Sequence, residues 1–129
     1  MQGNCGEYKS DEVLQNGLDW FRSIREGEMK QLYARNPHEL MRTNECYTQV
    51  MVSEMTLTAS LARKCSSPTM NVKRLDYPGT DEGENEKYIT ITVKDGQYST
   101  GEIPVKYYLQ APYAPTFKEN YDKYCALED

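Results

Sequence analysis

Long apolar runs are missing from this 129-residue sequence. No stretch approaches the ~20 apolar residues of a bilayer-spanning helix, and the opening MQGNCGEYKS has neither the basic nor the apolar region of a secretory leader. A cytoplasmic protein without direct membrane insertion is expected. Histidine occurs once, as His38, so any Ser-His or Cys-His catalysis would have to use it. It falls in the first turn of a predicted helix, with no orienting acid and nucleophile nearby, and reads as a solvent-facing residue. Cysteine is sparse and scattered: Cys5, Cys46, Cys65 and Cys125 have long, unequal gaps that fit neither a paired-cysteine zinc site nor a disulfide framework. Isolated reduced thiols are expected. No glycine-rich phosphate loop is present, and the acid run at 81–86 lacks the ligand order of a calcium loop. Positive charge is also short. A net charge of -5 removes the general electrostatic attraction that nucleic acid or an anionic membrane would require.

The length suits one domain, able to bury roughly two-thirds of the surface its unfolded chain exposes. Only 38% of residues are hydrophobic, yet eleven tyrosines add apolar area that hydropathy undervalues. Ser10 followed by Asp11 and Glu12 is an N-cap with acid in the first turn, and Leu14, Gly17, Leu18, Phe21 and Ile24 recur at helical spacing. Met29, Leu32 and Tyr33 extend this pattern to about residue 35, with Gly27 as a bend. Asn36-Pro37-His38-Glu39 then signals a fresh start, with Asn as cap, Pro at the first position and Glu three residues after the cap. The second helix runs to about residue 64 without interruption, a rod of roughly 42 Å. Leu40, Tyr47, Val50, Met51, Thr58 and Leu61 cover one side of it, and Met41, Val52, Met55, Ala59 and Ala62 an adjacent one. That sector is wider than one neighbouring helix needs, so part of it should face a partner.

Beyond a loop at 66–86, KYITITV alternates strictly and is followed by an Asp95-Gly96 turn and a return strand at 98–105. Pro104 confines that strand to an edge. Pro112 and Pro115 punctuate a Tyr-rich arm, and Thr116 with Glu119 caps a last short helix carrying Phe117, Tyr121 and Tyr124. The predicted fold is mainly α with a small β-hairpin: an antiparallel, spectrin-repeat-like helical bundle on two long helices plus a short C-terminal helix. Residues 1–129 form a single domain in this reading, helical over 1–65, looped over 66–86, a hairpin over 87–105 and an arm with the short helix over 106–129.

The stretch SLARKCSSPTMNVKRLDYP gathers Arg63, Lys64, Lys73 and Arg74 beside Cys65. It reads either as an anion-binding or thiol-enzyme site, or as one edge of a docking surface. The bottom-up reading is a protein-interaction module, because no nucleophile, base and stabiliser assemble in the pattern.

The order of MQGNCG, a capped helix, NPHELMR, a helix ending LARK and a loop to RLDYP resembles the C-terminal helical domain of flavoproteins in the fumarate reductase / succinate dehydrogenase family, closest to the adenylylsulfate-reductase-like branch. Arg63, Ser66, Arg74, Asp76, Pro78 and Asp81 follow that family's order, whereas Ser67-Pro68 stands where Arg-Gly is usual and the loop lacks a His. The resemblance implies a non-catalytic packing domain of a larger FAD-dependent oxidoreductase. No cofactor would sit in this chain, FAD being held elsewhere in the parent. The implied partners are the flavin-binding and capping domains and an iron-sulfur subunit, with Arg42, Arg63, Arg74 and Asp76 as interdomain contacts. A free-standing interaction module is the alternative, and self-association of the isolated chain through its uncovered face is a further expectation.

Overall fold

The computed structural model describes residues 3, 5–107, 118, 119, 121 and 122. Two helices and two small sheets make up the described part, joined by short 3-10 turns. Helix α1 spans Asp11–Glu26, capped by the Ser10 hydroxyl, which accepts from the Val13 N–H. It stops earlier than its periodicity predicts. Gly27 breaks it, and Glu28–Gln31 continue as a 3-10 turn that buries Met29. Helix α2 spans Pro37–Ala62; Asn36 Oδ1 accepts from Glu39 N–H at 2.9 Å, and the Glu39 carboxylate reaches back to Arg35 N–H at 2.8 Å. Reciprocal bonding of this kind satisfies donors that a helix start would otherwise leave open.

The two helices run antiparallel, as the Asp11–Lys64 and Arg25–Glu54 contacts require. Leu14, Leu18 and Phe21 of α1 close on Leu57 of α2, with Cys5, Val50 and Leu61 packed around them. Tyr47 Oη donates to the Met29 carbonyl and pins the connecting turn.

Strands β1 (Tyr8–Lys9) and β2 (Lys73–Arg74) form a short parallel pair before α1 and after α2. Strands β3 (Lys87–Lys94) and β4 (Gln97–Pro104) form the antiparallel hairpin. Asp95 and Gly96 both take positive φ, as a primed two-residue turn demands. The hairpin leans on α2: Arg63 donates to the Lys87 carbonyl and Tyr98 Oη to the Glu54 carboxylate.

The predicted antiparallel bundle is corrected by this arrangement: the protein is a helix pair with two two-stranded sheets, and no bundle is built on it. The physical reason lies in α2, whose breadth of apolar surface the sequence reading divides between one neighbouring helix and an outside partner, leaving none for the hairpin. One face meets α1, the C-terminal part meets the hairpin, and the remainder is uncovered. Of the predicted last helix, residues 118, 119, 121 and 122 are described and are helical, whereas Phe117, Tyr124 and the Pro112 and Pro115 arm lie outside the described residues. Among the described residues no helix is long and apolar enough to cross a membrane.

Candidate functional site

Arg74 organises the end of the molecule where α1 begins and α2 finishes. Its side chain is fully buried, and each of its five N–H donors has an acceptor. Nε and one Nη2 hydrogen form a bidentate pair with the Asp76 carboxylate, both at 2.9 Å. Nη1 donates to the carbonyls of Ser60 and Arg63 at 2.7 and 2.9 Å, which are open acceptors at the C-terminal end of α2. The remaining Nη2 hydrogen reaches Asp11 Oδ1. A cation is favoured at that helix end and an anion at the start of α1, so both dipoles are complemented by one clasp.

The clasp has a second layer. Asp76 Oδ2 accepts the backbone N–H of Asp11 at 2.6 Å, and Lys64 binds the Asp11 carboxylate at 2.8 Å. Tyr77 Oη donates to Asp11, while its ring lies under the cations of Lys64 and Arg74 at 4.8 and 5.0 Å. Ser66 Oγ accepts from Arg74 N–H and donates to the Tyr77 carbonyl. Position 74 is placed for this by β2, whose Arg74 pairs in register with Lys9.

Of the residues marked in the sequence, Arg74 and Asp76 meet directly and Arg63 joins them through its carbonyl. The Arg63 guanidinium turns the other way, to the Lys87 carbonyl at 2.9 Å and the Asp81 carboxylate at 3.8 Å. Ser67 donates to the same Asp81 carboxylate, closing the loop over itself. Arg42 lies apart, roughly 32 Å along α2 from Arg63, in an exposed pair with Glu45. Cys65 is buried with its sulfur 4.0 Å from the Arg63 guanidinium, and His38 is exposed at the other end of α2. Sequence reading missed Asp11 as an ion-pair partner, because its place in the first turn already accounted for an acid. Among the described residues no group of three or more His, Cys, Asp or Glu could hold a metal ion.

Electrostatics follow from these contacts. The Arg74 guanidinium holds the Asp76 carboxyl well below the usual carboxylate range, aided by the Asp11 N–H and opposed by burial. Asp11 is lowered chiefly by the Lys64 ammonium, against burial and with help from Arg74. Both carboxyls titrate lower folded than unfolded, where Asp sits at about 3.9. Their contribution is therefore complete above that value and is lost as pH falls toward the folded pKa. The urea midpoint should hold from about pH 7 to 5 and drop below about pH 4, and Asp76→Asn should flatten that acid limb. An unchanged acid limb in Asp76→Asn would contradict the assignment.

Chemically the clasp is saturated: a guanidinium with all donors engaged has none to offer a ligand. The unsaturated surface lies elsewhere, on the uncovered face of α2. Pro37, Leu40, Met41, Asn44 and Thr48 frame a groove of about 560 Å³. Leu40, Met41, Met51 and Val52 are each about half exposed, at 52%, 48%, 48% and 53%. Isolated apolar side chains on a surface are ordinary, but Leu40 and Met51 on one side of α2 and Met41 and Val52 on the adjacent one make a broad apolar sector that marks a contact surface. No family model, curated protein or solved structure matches this chain.

Proposed function

We propose that this chain is a helical packing domain of an FAD-dependent oxidoreductase of the fumarate reductase / succinate dehydrogenase type, non-catalytic by itself, which braces a flavin-bearing domain and contacts a partner subunit. The observation that carries a packing role is the uncovered apolar strip on α2 from Leu40 to Val52. The kind of partner rests on the order of motifs around Arg63, Ser66, Arg74, Asp76 and Pro78. The saturated clasp supports a bracing role, since it fixes the RLDYP loop against both helix ends and leaves no reactive group there.

FAD belongs to the partner in this reading. After incubation with FAD and gel filtration, the chain should elute without flavin absorbance; retained FAD would overturn the assignment of the cofactor to another domain. The strip itself is tested by sedimentation at rising concentration. The isolated chain should self-associate, and Met41→Glu with Val52→Asp should abolish this while leaving the folded far-ultraviolet spectrum unchanged. A parent chain that stays monomeric throughout would count against a packing surface. The coding sequence immediately upstream decides the partner: an in-frame Gly-x-Gly-x-x-Gly fingerprint supports the flavoprotein reading, and its absence leaves a free-standing interaction module.

A further inference from the structure

A second cavity, of about 570 Å³, lies between the residues preceding α1, the end of α2 and the hairpin. Lys9 lines it. The residue is only 6% exposed, yet among the described residues its ammonium makes a single hydrogen bond, to the Gly6 carbonyl, and has no carboxylate partner. An ammonium has three donors, and burying it on one neutral carbonyl leaves most of its lost hydration uncompensated. Arg74 lines the same cavity and is buried further, at 2%, but every donor of it is met and two carboxylates balance its charge. Arg63 brings a second cation to the same wall; Asp81, its nearest carboxylate, stands 3.8 Å away and is shared with Ser67. Val72 and Ile89 make the lining partly apolar, and the exposed Met70 and Tyr88 line it too.

We infer that this cavity binds a small carboxylate with an apolar body, the carboxylate meeting the Lys9 ammonium and the body lying along Val72 and Ile89. An acceptor carrying full negative charge supplies what the Gly6 carbonyl alone does not, and charge-assisted bonds of this sort are the stronger ones. A pocket that is largely apolar with a few converging polar groups is the usual form of a small-molecule site. The inference stands apart from the packing role, which concerns another face of α2. Were Lys9 merely a tie for the turn at residues 6–9, its charge would contribute nothing to ligand discrimination.

The test is an amide-resolved magnetic resonance titration of the chain with hexanoate, its neutral analogue hexanamide, and inorganic phosphate. Hexanoate should give saturable shifts at Lys9, Val72 and Ile89, with hexanamide and phosphate each weaker by about tenfold or more. Lys9→Met, which keeps the stem and removes the charge, should weaken hexanoate by about the same factor. Equal binding of hexanamide would reduce the cavity to an apolar hollow, and phosphate as tight as hexanoate would remove the apolar body from the assignment. Absence of saturation overturns the site. If Lys9→Met fails to fold, the comparison of ligands on the parent chain still decides.

Discussion

Arg74→Met should cost about 3–5 kcal/mol of unfolding free energy, the usual consequence of removing one partner from a buried ion pair. Methionine retains much of the stem, so the loss reports the guanidinium and not a large cavity. What remains is the Asp76 carboxylate without its bidentate donor, the Ser60 and Arg63 carbonyls without a cap, and Asp11 held by Lys64 and Tyr77. Arg74→Lys should recover only part of the loss, because a point charge cannot address four acceptors in a planar fork. Arg42→Met is the control. Its exposed pair with Glu45 should be worth about 0.5 kcal/mol or less. Urea unfolding of the three variants measures all of this. An Arg74→Met chain within about 1 kcal/mol of the parent would show that the clasp decorates the fold without holding it.

Local signals in the sequence were the legible ones. Ser10 and Asn36 cap the helices where their side chains place them, and Asp95-Gly96 sets the hairpin because only a primed turn matches the twist of its strands. Periodicity misled where a backbone event intervened. Met29 keeps helical spacing with Leu18, but Gly27 has already ended α1 and Met29 is buried from a 3-10 turn. Tertiary choices were not legible. A parallel pair of two-residue strands has no alternation to detect, and it is this pair that carries Arg74 to the helix ends. Arg63, Arg74 and Asp76 stand out in sequence as a charged cluster, yet Asp11, 63 positions before Arg74, completes it through a contact that no spacing encodes. The same blindness explains Arg42, similar in kind but stranded on the exposed surface of α2, and Lys9, whose burial nothing in its neighbours announces.

Arg25→Met should destabilise the protein more than Glu54→Met, by about 2 kcal/mol or more, although the two residues form one ion pair. Glu54 is fully buried in the middle of α2, whereas the Arg25 side chain is 39% exposed. Oε2 accepts from Arg25 at 2.9 Å and from Tyr98 Oη at 3.0 Å, while Oε1 has no hydrogen-bond partner among the described residues. Burial, and then the Glu54 carboxylate, push the Tyr98 phenol upward, so Tyr98 stays a neutral donor. Removing Arg25 therefore strands a buried charge on one phenol, the costly way to break such a pair. Removing Glu54 takes away the charge and the unmet acceptor together, releases Arg25 to water and forfeits about 1 kcal/mol for the Tyr98 bond. The double variant should resemble Glu54→Met, since without the carboxylate Arg25 has little left to neutralise. Tyr98→Phe should cost about 1 kcal/mol and loosen the hairpin on α2, seen as faster amide exchange across β3 and β4. Equal losses in Arg25→Met and Glu54→Met would mean that the attraction outweighs desolvation; the asymmetry would mean that Glu54 is kept for placing α1, α2 and the hairpin relative to one another.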